Sequence, residues 1–311
     1  MANATIAVGT YAGEAARPYV AAAIMSADTL ANGYISTMEN VHGKAVLRVF
    51  SGAAIESATC TFTPGANTPL ALGEAVLDTS ALQINEQVCN KDLRATWESA
   101  QMRGQSSSAP ADFTTFAAQY VAAKVAEGIE HNIWSGNYNP DSGSATGATY
   151  SAFNGLLRNM VLGSPGYEAN LGGVLTAATI LPKLALLVAN SPGTILGDYD
   201  NTKIFMSRAT SALYYDALAA VYNLPFLAEG QANKYKAYDV VVPNGFPDDT
   251  LLMAQGQNLF FGTNLLTDHI NASVLDLQGV TSDDVTRVIM QFSGGTQVVD
   301  LDAIGLLRRT T

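Results

Sequence analysis

The chain has 311 residues, 48% of them hydrophobic and 14% charged, which is enough apolar material for one or two substantial cores. Asp and Glu number 27 against 16 Lys and Arg, giving a net charge of −11 and a pI near 4.6. Binding to nucleic acid rests on cations set against phosphate, so this balance argues against an exposed nucleic-acid clamp. Between 237 and 311, nine Asp stand against three Arg, a surface that repels DNA and keeps the chain soluble.

The opening "MANATIAVGTYAGEAARPYV" lacks a basic start followed by an apolar core, so a secretory signal is not expected. Without a glycosylating route the sequons at Asn3 and Asn271 read as chance. Residues 11–31 carry Ala, Met, Ile and Leu at loosely helical spacing before Gly33 and predict a short N-terminal helix. From 34 to 95 the texture changes to short β-prone runs, "KAVLRVF", "ATCTFTP", "EAVLD" and "ALQINEQV", separated by turn residues, which predict strands and hairpins.

That region holds the chain's two cysteines, Cys60 and Cys89, 28 residues apart and without CxxC or Cys/His companions. A structural zinc site, which needs four ligands, is therefore not supported. A three-stranded meander of "TCTFTP", "LALGEAVLD" and "ALQINEQVC", with turns near Ala66 and Thr79, would set the cysteines on its outer strands. Two strand spacings are about 9.5 Å, beyond the roughly 7 Å Cα separation a disulfide tolerates. Two reduced thiols packed as small apolar groups are expected.

The clearest element is a helix over 110–134, where Phe113, Phe116, Ala117, Tyr120, Val121, Val125, Gly128, Ile129 and Ile133 form one stripe. Pro110 and Asp112 suit its first turn. Glu127 and His131 are an i, i+4 pair with Glu130 adjacent, a spacing that could seat a metal, but all three are expected opposite the stripe on a solvated polar face. The following "SGNYNPDSGSATGATYS" predicts an exposed loop. Starting from Asn137 or Asn139, no register gives the glycine and terminal acid of a calcium loop. A helix from Thr179 to Asn190, a strand "TKIFMS" and a helix "RATSALYYDALAAVYN" capped by Ser207 then form an α/β layer. Residues 238–300 return to strands, "YDVVVP", "TLLMAQ", "NLFFGTN", "SVLDL", "VTRVIMQF" and "TQVVDL", with "SGGT" at 293–296 as the best hairpin signal.

No enzyme constellation emerges. The nucleophile elbow, the phosphate loop and the dinucleotide fingerprint are all missing from the sequence. His42, His131 and His269 fall in three separate elements, so no catalytic, cofactor-binding or metal residue is assigned and no cofactor is expected. The longest apolar run, "ILPKLALLVA", is interrupted by Pro182 and Lys183 and is about half of what a bilayer span needs.

Three passages carry a resemblance. The stretch from "ATCTFTP" to "VCNKDLRATWES" looks like the block before the spine helix in capsid proteins of Bacteroidetes-type phages. "EGIEHNIWSGNY" followed by "FNGLLRNM" is similar to their "IW.G…F.GL" pattern, and "TLLMAQGQNLFFGTNLLTDHINASVLDL" to a late capsid segment. The chain thus resembles the major capsid protein of tailed bacteriophages, with the Hong Kong 97-type α+β fold. That resemblance implies an N-terminal arm (1–33), an extended β-hairpin loop with peripheral-domain strands (34–109), a spine helix (110–135), an axial domain (136–240) and peripheral-domain strands (241–311). It further implies a non-enzymatic virion protein that self-assembles through hexamers and pentamers into an icosahedral shell around DNA. Assembly would take place in the bacterial host cytoplasm, with portal, scaffolding or cement proteins as further partners and no membrane. Nothing before Tyr11 suits a scaffolding extension, and no motif supports a crosslink at Lys44. An encapsulin-type cargo shell is the alternative within the same fold, and a hydrolase with an unrecognised site the alternative outside it. Thiol counting on denatured protein prepared without reductant is expected to return two per chain, and a count near zero would establish a disulfide.

Overall fold

The computed structural model describes residues 10–12, 28–51, 71–89, 113–138, 150–222, 234–264, 273–277 and 285–309. The stretch expected as "VTRVIMQF" and the start of "TQVVDL" is one long strand, β13 (Val285–Val298). Along one edge lies β5 (Ser80–Cys89), antiparallel from Val285↔Cys89 to Gly294↔Ser80. The other edge takes β12 (Ser273–Asp276) through Thr286–Ile289 and β11 (Leu259–Thr263) through Gly294–Val298. β1 (Thr10–Ala12) extends the sheet antiparallel beyond β12, and β2 (Ser36–Met38) extends it parallel beyond β11.

A second six-stranded sheet runs in the order β6 (Tyr167–Asn170), β14 (Ile304–Arg308), β10 (Thr250–Gln255), β7 (Thr202–Met206), β9 (Tyr238–Val241) and β8 (Lys234–Tyr235). Its central strands read as near-continuous apolar runs because both faces are covered. Ile204, Met206, Leu251, Met253 and Leu307 pack with α4 (Ala177–Asn190) and α6 (Arg208–Tyr222). The alternate residues Phe205, Leu252, Ala254, Ile304 and Leu306 face a different core. That core is supplied by α2 (Phe113–Ser135), by α3 (Leu156–Gly163) and by Phe261, Val288, Phe292 and Val298 of the first sheet. Among the described residues the remaining elements are the short helices α1 (Asp28–Ala31) and α5 (Gly193–Leu196), a 3-10 turn at Gly256–Asn258, and a two-stranded ribbon of β3 (Lys44–Ser51) with β4 (Ala71–Asp78).

The long helix forms as its periodicity predicts, with Val125, Ile129 and Ile133 buried. Residues 110–112 and the side chains of 113–123 lie outside what is described. Ser207 caps α6, its hydroxyl accepting from the Thr210 amide at 3.1 Å. Four expectations need correction. Residues 11–12 lie in β1, and only Asp28–Ala31 of the expected N-terminal helix is described as helical. The helix expected from Thr179 starts at Ala177, where Thr176 caps it and Thr179 completes the reciprocal capping box. "SGGT" does not turn: β13 runs straight through it. The register pairs Gly295 with Gly262, and a Cβ on either would strike the end of β4, at the Asp78 carbonyl or the Leu77 side chain. Glycine therefore serves close approach here, not a hairpin. Finally, residues 136–240 do not form a unit of their own, because their sheet has β10 and β14 of the later segment at its centre and a boundary at 240 would cut β9.

The "IW.G…F.GL" passage also has a steric basis. The Gly155 amide donates to the Gly136 carbonyl at 2.8 Å, bringing the two backbones together as α2 ends and α3 begins. A Cβ on Gly136 would run into the Phe153 and Asn132 carbonyls, and one on Gly155 would sit 2.5 Å from the Gly136 nitrogen. Gly136→Ala and Gly155→Ala should each cost about 1–3 kcal/mol or more as overpacking against backbone. Denaturant midpoints measure the loss, and an unchanged midpoint for either variant would contradict this packing.

Candidate functional site

Residues with chemical potential are dispersed. His42 is exposed, 3.3 Å from the Asn264 amide nitrogen, and His131 is half-buried, stacked on Tyr150 with ring centroids 4.6 Å apart. Glu127 is exposed and ion-paired to Lys124 at 3.0 Å, which lowers its carboxyl pKa below the usual range. His269 and Cys60, and most of the loop weighed as a calcium site, lie outside the described residues. Among the described residues no group of three His, Cys, Asp or Glu could hold a metal, and no helix is long and apolar enough to cross a membrane. Cys89 is a free thiol, but it is exposed at the end of β5 opposite Val285, not packed as a small apolar group. The expected meander fails with it, since β4 pairs with β3 and β5 with β13.

Glu130 is also corrected: it is 3% exposed and not on a solvated face. The final turns of α2 are covered on more than one side, so the stripe that marks one face no longer tells which positions meet water. Thr29 donates to the Glu130 carboxyl twice, from its amide to Oε2 at 3.1 Å and from its hydroxyl to Oε1, while the Trp134 indole Nε1 donates to the Thr29 hydroxyl at 2.7 Å. Burial raises the Glu130 pKa above the usual carboxylate range, and Asp28 adds to the rise.

The largest feature without a settled partner is the ribbon. Alternation divides it into two faces. Leu47 and Leu77 are buried, with Ala45 and Ala75 beside them, against Val41, Met38, Phe260 and Val299. This inner face docks the ribbon's base on the first sheet, at the dent left by Gly262 and Gly295. On the outer face the register gives Lys44↔Asp78, Val46↔Val76 and Arg48↔Glu74. Lys44–Asp78 and Arg48–Glu74 approach to 3.5 and 3.6 Å. Val46, Val76 and Leu72 are 52%, 45% and 49% exposed. Aliphatic side chains alternating with paired charges along an edge ribbon suit contact with another protein surface better than chemistry. The sequence carried the two strands in the β-prone runs "KAVLRVF" and "EAVLD", but not which face would be left uncovered.

A groove of about 790 Å³ runs between β5 and α2, with Leu82, Ile84, Val125, Ile129, Phe153 and Phe292 among its lining and Lys124 and Glu86 also contributing. It offers apolar contact without a nucleophile and base in reach of one another.

No protein-family model and no curated protein matches the chain. Solved structures do. A chain of the satellite phage P4 procapsid that includes the size determination protein aligns with a TM-score of 0.62 at 12% identity, covering 95% of this chain and 90% of that one. A chain of the capsid of the native GTA particle aligns at 0.60 and 15% identity, covering 92% and 97%. One from Gordonia phage Cozz aligns at 0.52 and 12%, covering 91% and 86%. Over nine-tenths of its length, the chain has the fold of these phage and GTA particle chains.

Proposed function

We propose that the protein is the major capsid protein of a tailed phage, a structural virion component that self-assembles into a closed icosahedral shell around packaged DNA. The observation that carries this is the whole-length likeness of fold to chains of a procapsid and a capsid, covering nine-tenths or more of both partners. On this reading the architecture is the Hong Kong 97 type. The β3–β4 ribbon is the extended loop laid over a neighbouring subunit, α2 is the spine helix, the first sheet belongs to the peripheral domain, and the second sheet with α4 and α6 to the axial domain. The work of the molecule is then association in hexamers and pentamers, with no catalytic turnover. The net charge of −11 suits a shell that holds DNA without adhering to it. Portal, scaffolding and cement proteins are partners on the same reading, and the host cytoplasm is the place of assembly.

Energetically the outer face of the ribbon is the critical contact. Fully burying a Val or Leu side chain stabilises by about 1.5–3 kcal/mol, and Val46, Val76 and Leu72 each have roughly half of that still available to a neighbour. The paired double variant Val46→Asp with Val76→Asp removes this gain and leaves the inner face intact. The expected outcome is wild-type material at megadalton mass by light scattering, and a variant that stays at subunit or capsomer mass with folding stability within about 1 kcal/mol of wild type. Leu77→Ala is the contrasting control: it empties a buried site and should cost about 2–5 kcal/mol of folding stability. A variant that assembles like wild type would remove the ribbon from the interface, and a stable 32.6 kDa wild-type monomer in every condition would remove the shell reading itself.

A further inference from the structure

The side chains of Thr29, Glu130 and Trp134 join segments about a hundred residues apart, and all three are buried. Thr29 belongs to α1. Glu130 and Trp134 are one turn apart on α2. Trp134 is fixed by Phe205 of β7 and Phe246, each with ring centroids 5.2 Å away, and the backbone of Gly245 lies directly on the Glu130 carbonyl. The helix side of the cluster cannot give way easily. The α1 side is held on α2 by the hydrogen bonds of Thr29 and by Leu30 in the apolar core.

Charges around Glu130 do not offset an anion. From α1 it meets Asp28, and from the following turn Tyr34, whose own hydroxyl pKa is raised by burial, by Asp28 and by Glu130. On α2 itself, His131 stacks on Tyr150 and Glu127 pairs with Lys124 at the surface. The 243–246 segment brings no titratable group, and β7 brings Lys203, whose Nζ lies over the Tyr34 ring at 5.3 Å from its centroid. Among the groups that shift Glu130, none is cationic. An ionised carboxylate would keep its hydrogen bonds from Thr29 and Trp134 but would face the cost of leaving water with no cation beside it.

We infer that Glu130 is a proton-dependent latch: with its proton it holds α1 against the long helix, and without it α1 loosens from that helix. The direction follows from linkage. The folded form keeps the proton at pH values where the unfolded chain has released it. The stabilisation is therefore complete below the ordinary glutamate range and is lost as pH rises toward the higher folded value. This concerns one segment of the subunit, so it stands or falls separately from the shell reading.

Hydrogen exchange by mass spectrometry on the full chain tests it, following a peptide over 28–35 and correcting for intrinsic exchange. Wild-type protection should fall between about pH 5 and about pH 9 by about tenfold for each unit that the folded pKa exceeds the unfolded one, while peptides from β10 hold steady. Glu130→Gln keeps the shape and cannot ionise, so its protection over 28–35 should be flat with pH. Should that variant not fold, fluorescence in a Trp97→Phe background, which leaves Trp134 as the single tryptophan, reads the neighbouring carboxyl and should titrate over the same pH range as the protection. Flat wild-type protection, a wild-type pH response in Glu130→Gln, or Trp134 fluorescence with no titration in that range would each overturn the latch.

Discussion

The burial of the last two turns of the long helix is the constraint on which the remaining architecture depends. Neither six-stranded sheet closes a core alone. The first contributes Phe261, Val288, Phe292 and Val298, the second Phe205, Leu252, Ile304 and Leu306, and these meet in one cluster only because Ile129, Ile133 and Trp134 of α2 and Leu156, Leu157 and Met160 of α3 stand between them. Trp134 is fully buried and touches Phe205 at a tilt and Phe246 edge-on, arrangements aromatic pairs favour. The close passage of Gly136 and Gly155 sets how sharply α3 can follow α2, and so where both sheets sit.

From that frame the second sheet acquires two cores, one on each face, and the period-2 assignment of its side chains to them is strict. Its last strand is held by more than backbone pairing, since the partly buried Arg308 donates to the exposed Glu168 of β6 at 2.5 Å. Beside them the Tyr138 hydroxyl is buried and its pKa is pushed up mainly by that burial. The ribbon is the opposite case. Only its inner face joins a core, a small one built on Leu47 and Leu77. A two-stranded ribbon is marginal in water without a covered face, and this one has a second face still open for contact.

Much of this was legible from residue order alone, and the failures have physical reasons. The long helix, the hairpin strands "KAVLRVF" and "EAVLD", and the cap at Ser207 follow local rules of periodicity and capping, so they were readable. β6, β14 and α3 escaped notice because they are short and owe their existence to neighbours far along the chain. Register was invisible for the same reason: nothing within "ALQINEQVC" says that it pairs with 285–294 and not with the strand before it. Gly294 and Gly295 mimic a turn in one dimension, and in three Gly295 makes room for the end of β4. Glu130 looked solvated because helical periodicity identifies one buried face, whereas the end of α2 is enclosed by α1 and by the Gly245 segment as well. The proposed function rests chiefly on the order of elements, since the sequence holds no recognised catalytic motif.

On the shell reading, this fold finishes its burial in the company of copies of itself. Electron cryomicroscopy of particles purified from the native source measures this most directly. It should reveal closed icosahedral shells in which the outer face of β3 and β4, with Val46, Val76 and Leu72, lies covered by an adjacent subunit. Particles in which this chain is absent from the shell, or shells in which that face stays open to solvent, would contradict it.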